Sequence, residues 1–294
     1  MTGAERGFLL LASALGDETA APLTTPQLRE LSRRAQAAGS GADPLRELNA
    51  SDLAALGYED AAADRILRLL DREERLDRYL ARAERLDIHA AVRISPDYPA
   101  RLSLQLGMDA PPVLFYRGDK RLLQRRCISV VGSRRLYPEN RAFAETAGRL
   151  IAEEGFTLCS GGAQGADTAA QTAAMTRGGS AVIFLPGKLT DEALRKNVIF
   201  VTEDSYDLPF TAQRALHRNR LIHAMGEKTL VAQVRLGTGG TWSGAADNLR
   251  HDYSPVFVFD DGSEGAAGLL ERGAAGMTEL RALSQLEDAQ TSFL

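Results

Sequence analysis

The sequence predicts an α/β protein: a doubly wound, mostly parallel sheet preceded by a small all-helical domain. Three observations carry that prediction. Residues 1–87 are rich in Ala, Leu, Arg and Glu and nearly free of strand-like runs, which reads as helix throughout. From Cys127 onward, short apolar runs alternate with amphipathic helical patterns, the signature of parallel strands covered on both faces. Two of those runs, at 128–131 and 156–159, end in glycine-rich turns that each open a helix.

In the helical part, Thr25 and Pro26 read as an N-cap and a first-turn proline for the amphipathic stretch 27–31. Gly39, Ser40 and Gly41 end that helix, and shorter ones follow over 45–48 and 51–56, with Gly57 as a stop. The stretch 61–86 reads as one long helix whose Asp/Glu–Arg pairs at i,i+3 and i,i+4 form a solvated face. Prolines punctuate 94–118, which reads as a connector holding one strand over 113–116. The boundary falls near Ile88, giving domains 1–87 and 88–294. Beyond it, strands are expected over 127–131, 156–159, 180–185, 198–202, 229–234 and 255–259. Helices are expected over about 139–153, 166–175, 213–225, 242–249 and 268–272. Gly155 and Gly178-Gly179 serve as helix stops.

Apolar residues make up 44% of the 294, enough for a core. The formal net charge of −4 argues against a generic nucleic-acid coat, so local clusters decide what binds. Cys127 and Cys159 fall inside apolar runs and read as buried thiols, not a disulfide or metal pair, which suits a reducing cytoplasm. No signal peptide is expected, and no run approaches the ~20 apolar residues of a membrane span.

Parallel strands put both glycine-rich turns on one sheet edge, where helix N-termini and bare N–H groups favour an anion, most often a phosphate. In the first turn Gly132 allows close backbone approach, and Ser133, Arg134 and Arg135 can reach a phosphate. The second, Ser160-Gly161-Gly162-Ala163-Gln164-Gly165, is one residue away from a dinucleotide fingerprint. The acid that fingerprint needs after the next strand is replaced by Leu185-Pro186-Gly187-Lys188, so no nicotinamide cofactor is expected. Asp167 reads either as a carboxylate favoured by the helix dipole or as a site group. Arg214, His217, Arg218, Asn219 and Arg220 form the densest cationic cluster beyond the boundary, which suggests a phosphate-backbone groove. A third glycine-rich loop contributes Gly239, Gly240 and Thr241. Trp242, the single tryptophan, is expected to pack on the sheet, with base stacking as the other reading. There is no Gly-x-Ser-x-Gly elbow, no P-loop lysine and no metal-ligand spacing among the four histidines; no catalytic residue, metal or cofactor is expected.

These motifs occur in a familiar order. "DYPARL" and "PPVLFYRGD" precede the sheet, "VVGSRRLYPENRAFAETAGRLIAEEGFTLCSGGAQGADTAAQTAAMTRGG" opens it, and "HRNRLIHAMGEKTLVAQ" and "GLLERGA" follow. From Tyr98 to Ala274 the chain resembles the DNA-processing protein A (DprA/Smf) family of bacteria. The N-terminal part is similar in character to the small helical (SAM- or helix-hairpin-helix-like) domain of many members. The resemblance implies an extended Rossmann-like domain that binds single-stranded DNA without sequence preference. It also implies a cytoplasmic homodimer that hands DNA to the RecA recombinase in natural transformation, with no catalysis of its own. Carried onto this sequence, it implies DNA contacts at Ser133, Arg134, Gly161, Gly162, Lys188, Arg218 and Arg220. Three departures stand out. Gln164 occupies the place of an arginine, Gly239–Ala245 replaces a Ser-Gly-Ser-Leu-Ile-Thr-Ala loop, and Leu216-His217 lacks the usual proline.

Two other readings compete. A nucleotide sensor or phosphoribohydrolase-like enzyme on a related fold would carry a glutamate in the third loop; here the glycines and a threonine are present without it, and Asp247 is the nearest carboxylate. A scaffold acting only through its N-terminal helices is the third.

Overall fold

The computed structural model describes residues 1–17, 19–39 and 43–287, so the expected break at Ser40-Gly41 lies outside the described residues. The N-terminal part is helical as expected: α1 (Gly3–Ala12), α2 (Thr25–Ala37), α3 (Ala50–Ala55), α4 (Asp60–Leu70) and α5 (Glu73–Arg85). The cap of α2 is Thr24, one residue earlier than read, because the Gln27 side chain reaches back to the Thr24 N–H at 3.0 Å. The short segment expected at 45–48 is a single 3₁₀ turn, Asp43–Arg46.

The long helix read over 61–86 is in fact two helices. Arg72 leaves the helical conformation, and its guanidinium turns inward to the carbonyls of Leu10, Ser13 and Leu69. It satisfies orphan carbonyls at the end of α1, a role that the charge pattern assigned to solvent.

The second part continues through β1 (His89–Val92), α6 (Ala100–Leu106), β2 (Val113–Gly118), β3 (Cys127–Val131), α7 (Pro138–Glu153), β4 (Thr157–Ser160), α8 (Ala166–Thr176), β5 (Ser180–Phe184), β6 (Val198–Glu203), α9 (Ala212–Met225), β7 (Thr229–Val231), α10 (Gly239–His251), β8 (Val256–Phe259), α11 (Glu264–Leu270) and β9 (Ala275–Met277). The strand order is β1-β2-β6-β5-β4-β3-β7-β8-β9. All pairs from β6 to β9 are parallel, and β1 and β2 add an antiparallel arm. The chain runs outward from β3 to β6, then returns to lay β7 on the other side of β3. That reversal opens a crevice beyond the carboxyl ends of β3 and β7.

Alternation along each central strand divides the core. Ile128, Val130, Leu158 and Ile183 face α7 and α8, while Cys127, Val131, Cys159 and Val182 face α6, α9, α10 and α11. Both cysteines are free and fully buried, as read; burial raises the Cys127 thiol to about 12. Apolar contact continues across the boundary read near Ile88. Tyr79 of α5 stacks on Tyr206 at 4.3 Å and meets Phe115 of β2 edge-on at 5.8 Å, and its hydroxyl donates to Asp207 at 2.8 Å. No described helix is long and apolar enough to cross a membrane.

Candidate phosphate-binding cleft

The three glycine-rich loops meet at the crevice because short backbone bonds knit them together. The Ser133 N–H and hydroxyl both donate to the Gln233 carbonyl, at 2.9 and 3.2 Å, tying the loop after β3 to the loop after β7. The Ser133 carbonyl accepts the first N–H of α8, from Ala166, at 3.3 Å. Gly165 sits between them at φ +89°, where an added Cβ would stand 2.2 Å from the Ser133 oxygen. Only glycine permits that approach.

Asp167 is buried beneath the second loop, and its Oδ2 accepts from the Gly161 and Ala163 N–H groups at 2.9 and 3.3 Å. It shapes the loop from inside the first turn of α8. Burial raises its carboxyl to about 6, against the pull of Arg218 and those two N–H groups. Ser160 is likewise buried and accepts from Gln171 at 2.6 Å, so it supports the loop from below.

Arg218 lies across this loop, so close to Gly161 that a Cβ there would fall 1.6 Å from Nη1. It is 8% exposed, and its Nε has no hydrogen-bond partner among the described residues. The Arg220 Nε is likewise unpartnered, but the guanidiniums on either side of Arg218 have ionic partners. Arg214 is spent on the carbonyls of Pro186 and Glu203 and on Asp204, and Arg220 on the Asp109 carbonyl and the Glu203 carboxylate. Arg218 has no such ion pair among the described residues. Asp167 attracts it from beneath the loop without a direct ion pair, and the remaining desolvation cost favours a further anion arriving from outside.

The resulting cleft has a volume of about 1340 Å³. Six arginines line it, Arg134, Arg135, Arg218, Arg220, Arg235 and Arg250, against the two carboxylates Asp167 and Asp247. Gly132, Ser133, Asn219, Gly239, Gly240 and Thr241 line it as well. Asn219 donates to the Gly240 carbonyl at 3.1 Å, which seats the start of α10 against α9. Among the described residues α10 has no side-chain cap and offers its first N–H groups to the cleft, whereas the first N–H of α8 is taken by the Ser133 carbonyl.

Several residues named from sequence do not line the cleft. Gly161 and Ser160 lie beneath it, Arg214 is braced to neighbouring loops, and Gly162 and Gln164 are exposed. Lys188 also stands outside it, on the loop after β5. Trp242 borders the cleft and packs against the core on this side of the sheet, beside Gly268 of α11, with the Arg272 guanidinium 5.0 Å from its ring. Sequence reasoning missed Arg235 and Arg250. Arg235 follows β7 as Arg134 follows β3, a signal present in the sequence. Arg250 reaches the cleft from far along α10, and nothing local marks it. The exposed apolar rim of Phe210 and Leu216 was also missed.

His223 explains itself as structure. The Ser254 N–H donates to Asn248 Oδ1, so Asn248 Nδ2 is the donor to His223 Nδ1 at 3.1 Å, which fixes the neutral ring. Burial lowers its pKa from 6.5 to about 4. The unfolded chain therefore takes up this proton first as pH falls. The stability from His223 is complete above about pH 6.5 and lost toward pH 4, about 3 kcal/mol in all. Asp167 titrates with the opposite sign, so the check is the difference between wild type and His223→Gln melting temperatures at pH 7 and pH 4.5. That difference should shrink at the lower pH.

The fold and cleft define a class: a Rossmann-like protein with an arginine-lined crevice at the switch point of its sheet. The DNA recombination-mediator protein A family model matches residues 89–287, and the chain belongs to that family. It is 30% identical to Protein Smf of Escherichia coli over 189 residues, 58% of this chain and 50% of that protein. It is 28% identical to DNA processing protein DprA of Streptococcus pneumoniae over 186 residues, 58% of this chain and 64% of that protein. The chain thus spans between half and two thirds of these relatives. The X-ray structure of DNA processing protein A from S. pneumoniae superposes with a TM-score of 0.72 at 23% identity, covering 95% of both chains. The protein of that name from Helicobacter pylori, studied for its single-stranded DNA binding mode, gives 0.55 at 24% identity over 70% of this chain and 95% of its own.

Proposed function

We propose that the cleft binds single-stranded DNA by its phosphate backbone, as a member of a recombination-mediator family would. The observation that carries this is Arg218: a buried guanidinium lying over the Gly161 loop, with no direct ion pair among the described residues, in a cleft lined by five further arginines. The cleft exceeds the ~300–1,000 Å³ of most small-molecule sites, which suits a polymer better than a mononucleotide. Phe210 and Leu216 give unstacked bases an exposed apolar rim, which a duplex could not use. Among the described residues no cluster of three or more His, Cys, Asp or Glu could hold a metal, and Asp247 is engaged by His251 at 3.2 Å. The phosphoribohydrolase-like alternative is not favoured.

The finer parts of this reading rest on family membership: a homodimer, transfer of DNA to a RecA recombinase during transformation, cytoplasmic residence, and a role in binding instead of catalysis. Fluorescence anisotropy with labelled oligothymidylate at two salt concentrations tests the core of it. Tight binding is expected, with log K falling by about 0.7 per neutralised phosphate for each tenfold rise in salt, and with duplex of equal length bound more weakly. No binding at low salt, or equal affinity for duplex, would overturn it.

A further inference from the structure

We propose that α5 carries a second segment of the track: an arginine face that takes the sugar-phosphate strand as it leaves the cleft. This rests on the reading of the cleft as a single-strand site.

The charges of α5 are sorted around the helix. Arg75, Arg78, Arg82 and Arg85 fall at i, i+3, i+7 and i+10, which makes one continuous stripe, and all four are exposed. The acids Glu73 and Asp77 lie on the other flank, where Arg6 and Arg46 neutralise them against α1 and its neighbouring turn. The four arginines face outward, with Glu74 of α5 beside the stripe, and their nearest carboxylates are Asp17, Glu74 and Asp207.

That stripe borders the same sheet edge as the cleft. The Arg82 guanidinium is 3.3 Å from Asp207 and 5.9 Å from the Tyr206 ring centre, and Arg85 also lies within electrostatic reach of Tyr206. Asp207 follows the carboxyl end of β6. One strand nearer the cleft, exposed Lys188 follows β5, and the next residue, Leu189, donates to the Tyr206 carbonyl at 2.8 Å. Gly187 packs on the backbone of Phe210, which itself forms part of the cleft rim. From the floor at β3 to Asp207 the path crosses three strand spacings, roughly 14 Å. A strand seated on Arg218 that passes over Phe210 therefore meets Lys188 and then the α5 stripe.

The counter-charges on the stripe are unequal competitors. Arg75 faces Asp17 at 3.5 Å, Arg78 faces Glu74 at 3.4 Å, and Arg82 faces Asp207, each arginine being well exposed. An exposed pair such as Arg78–Glu74 holds little free energy, so a phosphate can replace the carboxylate, whereas Asp207 is only 13% exposed and keeps Arg82, which leaves Arg78 and Arg85 as the groups for a phosphate. The occupant that fits is the continuation of the same single strand, because the stripe matches its charge and is continuous with the cleft.

The test uses the full chain with oligothymidylates of about 6 and about 20 nucleotides, measured by anisotropy across a salt series. Arg78→Gln with Arg85→Gln should leave the short oligonucleotide bound as in wild type. It should weaken the long one several-fold and lower its salt slope by about 0.7 for each phosphate that α5 no longer holds. The melting temperature should not change, since both side chains are exposed. Wild-type affinity and slope for the long oligonucleotide would overturn the α5 track while leaving the cleft intact. Failure of the wild type to bind either oligonucleotide, or an Arg218→Met variant that binds both normally, would overturn the cleft reading and the track with it.

Discussion

Replacing Arg218 by methionine is expected to weaken oligothymidylate binding by about 10- to 100-fold, without lowering the melting temperature. The affinity loss follows from about 1.5–3 kcal/mol for hydrogen bonds to a charged group. The stability side follows from burial. At 8% exposed, the Arg218 guanidinium is largely stripped of water, its Nε is unsatisfied, and desolvation lowers its basicity. Methionine keeps the unbranched stem and its packing and removes a desolvated, unsatisfied charge, which offsets the lost attraction for Asp167. Asp167 loses an attractive neighbour but keeps the N–H groups of Gly161 and Ala163. Arg218→Lys should restore only part of the affinity, because an ammonium lacks the planar fork. Binding titration together with differential scanning calorimetry decides the matter. Equal loss of affinity and of melting temperature would make Arg218 a structural brace.

Gly165→Ala is expected to be the most damaging small substitution in the cleft, costing about 4 kcal/mol and roughly 10 °C in melting temperature. Two penalties add. At φ +89° and ψ −121° a side chain is strained, worth about 1–3 kcal/mol. The new methyl would also stand 2.2 Å from the Ser133 oxygen and 2.7 Å from Arg134 backbone atoms, which cannot move aside as a flexible side chain can. Relief requires parting the first loop from α8, so binding should fall as well. Gly155→Ala is the control. It has φ +80° but open space around the added carbon, and should cost only about 1 kcal/mol. Thermal unfolding of the two variants separates strain from collision; equal losses would show that the approach to Ser133 contributes nothing.

Much of this is legible in the chain. The six strands between Cys127 and Phe259 are buried on both faces, so each is a solid apolar run bounded by glycine, proline or charge, and each falls within a few residues of its expected ends. The elements without a sequence counterpart lack that signal. β1 (His89–Val92) and β9 (Ala275–Met277) are short edge strands, and α6 spans only seven residues within a proline-rich connector. The unbroken helix read over 61–86 fails at Arg72, whose inward turn depends on α1, a partner distant in sequence.

The sequence by itself determined the doubly wound sheet, the three glycine-rich loops and their meeting on one edge. Period, turn chemistry and parallel connection are local properties, and topology then leaves the loops nowhere else to go. Tertiary structure decided what each charged group does there. Arg214, Arg218 and Arg220 stand within two turns of one helix and look alike in sequence. Their positions meet different neighbours, so carbonyls and carboxylates of other elements claim the outer two and Arg218 is left over the Gly161 backbone. The balance between desolvation and pairing that separates a brace from a binding group depends on which atoms lie within a few ångströms, and only the packed chain sets those distances.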